Sequence, residues 1–182
     1  MTNNLPKHIA ICGMPKSGKT AIAGILASNF NYLPVDDGLI LRKSAPIIFG
    51  FDEEYPYSQF GKSQMVDTPS GEQEVRKVLG DLGQLLEGHY GESMMPWAAM
   101  REAQKFVDKS LGSRFVYPSC RKTQGKYYKE AGGIVIEVVR PHIEISPYEF
   151  DQYSPEYVDH TIQNDGTLAD LEKSVTVLIN NL

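Results

Sequence analysis

The sequence predicts an α/β fold built as layers, a mostly parallel sheet flanked by helices, and three observations carry that prediction. First, the short apolar run His8-Ile9-Ala10-Ile11-Cys12 ends at Gly13 and leads into a segment of helical periodicity. Second, the strongest strand signal, Ile134-Val135-Ile136-Glu137-Val138-Val139, lies far downstream behind the turn Gly132-Gly133. Third, strand-like and helix-like segments alternate with no repeat or low-complexity tract between them. At 182 residues the chain fits one compact domain with room for an inserted lid.

Each element follows from local pattern. His8 to Cys12 has the length and apolarity of a buried parallel strand. Lys19 to Phe30 places Ile22, Ile25, Leu26 and Phe30 at helical spacing. Asn31 to Val35 predicts a second short strand. From Asp36-Asp37 to about Asp67 the chain is rich in Pro, Phe, Tyr and Gly, and its poor periodicity predicts a loop-rich insertion. Thr68-Pro69 resembles a helix start, with Val75, Val78, Leu79, Leu82, Leu85 and Leu86 forming the apolar stripe behind it. Gly80 and Gly83 weaken that helix by about 1 kcal/mol each relative to Ala, so their presence suggests close approach of another element. A further helix is expected from Pro96 to about Leu111, with Trp97, Met100 and Val107 inward. Arg114 to Tyr117 and Ile134 to Val139 are the next strands, with a helix between them. Pro141 to His160, rich in proline and tyrosine, is expected to be irregular. Asn164-Asp165-Gly166 makes a turn, Thr167 with Asp170 resembles a capping box, and Leu168, Leu171, Val175 and Leu178 mark a closing helix.

Composition narrows the classes of function. Hydrophobic residues make up 41% and charged residues 23%, which is globular and too apolar for a disordered chain. The net charge of −5 lacks the bulk positive field of a protein that lives on nucleic-acid phosphates, while leaving room for a local basic groove. Cys12 and Cys120 are too few for a disulfide framework and lack metal-ligand spacing, which fits a reducing cytoplasm. No apolar run approaches membrane-spanning length and Met1 to Lys7 does not look like a signal peptide, so no membrane partner is expected.

The chemistry-bearing motif is Gly13-Met14-Pro15-Lys16-Ser17-Gly18-Lys19-Thr20, which is G-x-x-x-x-G-K-T, the P-loop pattern. Glycines let consecutive backbone N–H groups turn inward around anionic oxygens, and the helix that follows points its positive end at the same place. Lys19 would reach the β- and γ-phosphates, and the Thr20 hydroxyl would hold Mg²⁺. The motif sits between a strand and a helix, as that mechanism requires, so ATP or GTP binding is expected. Transfer to a second ligand also needs cations around the transferred group, and the arginines available are Arg42, Arg76, Arg101, Arg114, Arg121 and Arg140.

With these residues in view the chain resembles the P-loop deoxynucleoside monophosphate kinases of bacteriophage type. The resemblance runs from the phosphate loop through Val75-Arg76-Lys77-Val78-Leu79-Gly80-Asp81-Leu82-Gly83 with Trp97 after it, and resumes at Phe115-Val116-Tyr117-Pro118-Ser119-Cys120-Arg121. It continues in Glu130-Ala131-Gly132-Gly133-Ile134-Val135-Ile136 with Arg140-Pro141, and closes in Ile162-Gln163-Asn164-Asp165-Gly166-Thr167-Leu168. It implies a three-layer P-loop kinase fold of one domain, with irregular substrate or lid segments at about 39–67 and 141–160. It implies transfer of the ATP γ-phosphate to a deoxynucleoside monophosphate with Mg²⁺ between the phosphates, in the cytoplasm, or the host cytoplasm if the chain is phage-encoded. On this resemblance Lys19, Arg121 and Arg140 are the catalytic candidates, Arg76 would bind the acceptor phosphate, and Asp36 or Asp37 would face the acceptor or the metal. Trp97 is either a base-stacking platform or core, and Asp36-Asp37 are otherwise a turn or helix cap.

One departure matters. Where the family carries an aspartate before the strand-exit arginine, as Asp-x-Arg, this chain has Ser119-Cys120-Arg121. Serine lacks the charge that anchors a magnesium shell, so Asp36, Asp37 or another acid must supply it, or transfer is weak, or the acceptor differs. Two other readings therefore stand beside the kinase: a P-loop kinase acting on a modified base in DNA, which the charge disfavours, and a degenerate nucleotide-binding module. Apolar helix faces such as Val75 to Leu86 would pack either in the core or across a homodimer.

Overall fold

The computed structural model describes residues 5–109 and 112–182. Its centre is strand β1 (His8–Cys12), every residue of which is buried. On one side lie β5 (Phe115–Tyr117) and then β2 (Leu33–Pro34), and on the other β6 (Ile134–Val139) and then β7 (His160–Gln163). The order is β2-β5-β1-β6-β7 and each pairing is parallel. The sheet predicted from the alternation of elements is therefore present, and it is wholly parallel.

Side chains alternate across the two faces of β1, which puts a core on each face of the sheet. Ile9 and Ile11 point to helices α1 (Lys19–Phe30) and α7 (Leu168–Asn180), packing with Ile22, Leu26, Leu171, Val175 and Ile179. Ala10 and Cys12 point the other way, to α5 (Met94–Asp108) and α6 (Gln124–Glu130), where Ala99, Ala103 and Tyr128 meet Phe115 and Tyr117. Each fully buried large apolar side chain stabilises by about 1.5–3 kcal/mol, so this two-sided burial of a five-residue strand is what fixes the central layer. The capping box of α7 forms as expected: the Thr167 hydroxyl accepts from Asp170 N, and the Asp170 carboxylate accepts from Thr167 N at 2.9 Å.

Three local expectations need correction. The insertion at 39–67 is mostly ordered, as α2 (Leu39–Phe49), a 3-10 turn at Tyr55–Tyr57, α3 (Gln59–Lys62) and β3 (Met65–Thr68). Pro46 inside α2 masks its helical pattern, yet Pro46 is itself buried beside Ala45. Thr68-Pro69 does not start a helix; it opens the turn of a hairpin between β3 and β4 (Gly71–Glu74), where Gly71 takes φ 100° and the Thr68 hydroxyl donates to Gly71 O at 2.7 Å. The helix behind it, α4 (Val75–Tyr90), begins only after that hairpin. On α5, Trp97 points outward and is 52% exposed, with Arg101 over its ring. Leu111, where that helix was expected to end, lies outside the described residues, and α5 ends at Asp108. The segment 141–160 holds 3-10 turns at Glu149–Asp151 and Pro155–Tyr157 and no α-helix, and its last residue, His160, opens β7.

Gly80 and Gly83 do permit close approach. Phe150, from the 3-10 turn, seats its ring against Gly80 so closely that a Cβ there would overlap it, and Gly83 faces Leu41 of α2. Two substitutions on α4 therefore have opposite expected signs. Gly88 has open space around it, so Gly88→Ala gains up to about 1 kcal/mol from helix propensity. Gly80→Ala, with the same propensity gain, loses about 1–3 kcal/mol from overpacking against Phe150. Urea unfolding of both variants reads the difference directly, and equal stabilisation would mean that Phe150 does not sit on α4.

Candidate functional site

The phosphate loop leaves β1 and enters α1 through backbone conformations that its sequence supplies. Gly13 has φ 134°, Lys16 φ 67° and Gly18 φ 111°. The two glycines are required for different reasons. A Cβ on Gly13 would collide with the Val138 carbonyl at the end of β6, and one on Gly18 with the Asn164 amide beyond β7. Asn164 also fastens the loop, donating from Nδ2 to Ser17 O at 2.7 Å, while Ser17 N donates to Met14 O at 3.1 Å. Lys19 Nζ donates to Gly13 O at 2.7 Å and to Met14 O at 2.8 Å. Burial pushes the Lys19 ammonium down to about 8, the Arg121 charge adding to that and Asp151 and Asp37 opposing it. A phosphate beside it would restore a full charge.

This loop is one end of a cleft of about 530 Å³. Three carboxylates arrange the cations of that cleft. Asp151 accepts from Arg76 Nη2 at 2.8 Å and faces Arg121 Nη2 at 3.5 Å. Although burial works against its charge, the Ser146 hydroxyl and the two guanidinium groups hold the Asp151 carboxyl below the usual range. Asp36 pairs with Arg42 at 3.5 Å. Asp37 is 6% exposed and accepts from Ser119 N at 2.7 Å through Oδ2, while Oδ1 is buried with no partner among the described residues. Burial raises the Asp37 carboxyl to about 6, partly offset by the Ser119 N–H. Lys62 also lines the cleft, and burial together with Arg42, Arg121 and Arg76 lowers it to about 8.

Of the residues singled out from sequence, Gly13, Pro15, Lys16, Gly18, Lys19, Thr20, Asp37, Arg76 and Arg121 line this one cleft. Met14 and Ser17 complete the loop without lining it, and the Ser17 hydroxyl is buried without a partner among the described residues. Asp36 stands behind the cleft, accepting from Gly38 N at 3.0 Å as a turn residue does. Arg140 sits at the outer edge of the loop, 3.5 Å from Lys16 O. Trp97 is not part of the cleft, so the sequence pattern placed it wrongly. Sequence reasoning missed Lys62 and Asp151. Lys62 fell in the stretch read as loop, and Asp151 lies among prolines and tyrosines with no periodicity around it, so neither carried a local signal.

The residues present suit nucleotide with Mg²⁺. Among the described residues no group of three His, Cys, Asp or Glu could hold a metal ion by itself. Mg²⁺ does not require one, because it keeps most of its waters and takes one or two protein oxygens plus substrate phosphates. The Thr20 hydroxyl and Asp37 Oδ1, which has no partner among the described residues, are two oxygens that would serve it.

Asp37 is a charge held at a cost in stability, which gives a pH signature. Its folded value of about 6 lies above the ordinary 3.8, so the folded chain binds the extra proton between those values and stability falls as pH rises through that window. Asp37→Asn removes the cost. It should match the parent near pH 4 and melt higher at pH 8, by roughly 5–10 °C for a penalty of up to about 3 kcal/mol. Scanning calorimetry across that range checks it; a difference independent of pH would make Asp37 an ordinary structural carboxylate.

No family model matches the sequence, and none of the curated proteins matches it. Solved structures do. TT1252 from Thermus thermophilus superposes with a TM-score of 0.52 at 17% identity, covering 98% of this chain and 99% of that one. Dephospho-CoA kinase from Campylobacter jejuni gives 0.48 at 16% identity over 96% of both chains, and shikimate kinase from Aquifex aeolicus gives 0.46 at 12% over 96% of both. The likeness to TT1252 shows a shared fold, the five-stranded parallel sheet with helices on both faces.

Proposed function

We propose that this chain is an ATP-dependent P-loop kinase that transfers the γ-phosphoryl group of ATP to the phosphate of a deoxynucleoside monophosphate, giving the diphosphate and ADP. One observation carries the reading: two separate sets of phosphate-binding groups face one cleft. The loop from Gly13 to Thr20 with Lys19 is the first, and Arg42, Lys62, Arg76 and Arg121, from other elements, are the second. A protein that only hydrolyses a nucleotide has no use for the second set, whereas a second phosphate-bearing ligand does. The family resemblance at Arg76 and Arg121 supports a monophosphate as that ligand.

The roles follow from placement. The loop N–H groups and the start of α1 bind the donor phosphates, and Lys19 exchanges the Gly13 and Met14 carbonyls for phosphate oxygens. Arg76, reaching from the first turn of α4, holds the acceptor phosphate. Arg121, the member of the second set at the exit of β5, meets the acceptor phosphate beside Arg76 and offsets charge on the transferred group as an acceptor oxygen bonds to phosphorus and the bond to the ADP oxygen breaks in line. Thr20 and Asp37 would hold Mg²⁺, which would supply charge to offset that of the donor phosphates. Asp37 is the acid that would make up for the departure at Ser119, since its carboxylate reaches from beyond β2 to the Ser119 N–H.

Incubation with ATP, Mg²⁺ and each deoxynucleoside monophosphate in turn should give a diphosphate with at least one of them. Lys19→Met should lower turnover by about 10²–10³-fold, the scale of one lost transition-state donor. Arg76→Ala should raise the acceptor KM by about tenfold or more while leaving the ATP KM within about threefold, since it touches only one ligand. Retained ATP binding with no product from any monophosphate would make the chain a nucleotide-binding module, and label appearing on polymeric DNA would make it a base kinase.

A further inference from the structure

The stretch from Ser146 to Ser154 lacks the periodicity of any element, yet it is fastened to both walls of the cleft. On the α4 side, the Tyr148 hydroxyl donates to the Glu74 carboxylate at 2.7 Å, and Phe150, stacked on Tyr148 with ring centroids 4.9 Å apart, fills the hollow left by Gly80. On the β5 side, Lys122 N donates to Gln152 O at 2.6 Å and Ser154 N donates to Lys122 O at 2.9 Å. The Tyr153 hydroxyl then donates to Glu137 of β6 at 2.5 Å. Asp151 lies between these two sets of anchors with its side chain 3% exposed. One oxygen accepts from Arg76 at 2.8 Å and from the Ser146 hydroxyl at 2.5 Å, and the other faces Arg121 at 3.5 Å.

We propose that Asp151 is a positioning residue: it holds Arg76, carried by α4, and Arg121, carried by the β5 exit, at a fixed separation so that both meet the same acceptor phosphate. The inference rests on the kinase reading and adds how its acceptor subsite is built. Two guanidinium groups brought to one phosphate repel each other before it arrives, and a shared carboxylate offsets that repulsion and fixes their planes. Each guanidinium has five N–H donors, so the bond to Asp151 leaves donors for the ligand. The opposite idea, that Asp151 stands in for the phosphate and withdraws when it binds, conflicts with the anchoring. The residues on either side, Phe150 and Gln152, are pinned to different walls, and withdrawal would break the packing at Gly80 and the bonds to Lys122 together.

The test uses inorganic phosphate as the acceptor probe, titrated by calorimetry into protein saturated with a non-hydrolysable ATP analogue, alongside steady-state kinetics with the monophosphates. Asp151→Asn keeps shape and removes charge. It should weaken phosphate binding by about fivefold or more and lower turnover by up to about 10²-fold, the scale of a misplaced catalytic group, with the ATP KM within about twofold. Asp151→Glu should restore part of the loss. Ser146→Ala, which loosens Asp151 without changing its charge, should shift phosphate binding in the same direction by less, and it decides the matter if Asp151→Asn does not fold. Phosphate binding unchanged or tighter in the variant that decides, or no saturable phosphate binding by the parent, overturns the proposal. If the parent makes no diphosphate while the phosphate series behaves as described, the kinase reading fails and the positioning role stands.

Discussion

Like charge is the constraint on which the site depends. Among the described residues, seven lysines and arginines line the cleft against three carboxylates, Asp37, Glu87 and Asp151, in a chain whose overall balance is −5. Burial makes such a concentration of cations unfavourable until anions arrive and like charge adds to it, which is why Lys19 and Lys62 both lie well below the ordinary lysine range. The chain manages this with a few acids from two segments, the adjacent Asp36 and Asp37 after β2 and the distant Asp151. Asp36 restrains Arg42, Asp151 joins Arg76 to Arg121, and Asp37 sits on the Ser119 amide close enough to act on Lys19. The same few carboxylates thus offset the charge of cations that would otherwise repel one another in the cleft.

Topology brings these groups together. The phosphate loop follows β1, Asp37 follows β2 and Arg121 follows β5, and those strands are neighbours in the order β2-β5-β1. All three run the same way, so their exits open on one edge of the sheet, where ligands of open α/β sheets bind. The helices of the second wall add Lys62 and Arg76 from the far side. Two sets of groups widely spaced in sequence thus face each other without any one segment carrying the site.

What was legible from sequence follows from how local each signal is. The loop from Gly13 to Thr20 was readable because its glycines, lysine and threonine act within eight residues, and β1 and β6 because their side chains are buried on both faces. The capping box at Thr167 was readable for the same reason. The helix at Leu39 was hidden by Pro46, and the hairpin at Thr68 by a proline that fits a helix start equally well. Trp97 was misplaced because helical spacing tells which residues share a face but not which face meets the core. Lys62 and Asp151 were invisible for a deeper reason: each gains its role only from partners on other elements, Asp151 from a residue 75 positions away.

The register of the sheet has a consequence for when the protein becomes functional as it is synthesised. β1 pairs with no strand near it in sequence: His8 aligns with Phe115, and Ile9 with Ile134. The phosphate loop in turn rests on the Val138 carbonyl and on Asn164. Pairings of such long range form slowly because loop-closure entropy must be overcome first. The loop therefore acquires its shape only after these later partners have been made, and a growing chain carries the complete eight-residue motif long before the strands that shape it exist.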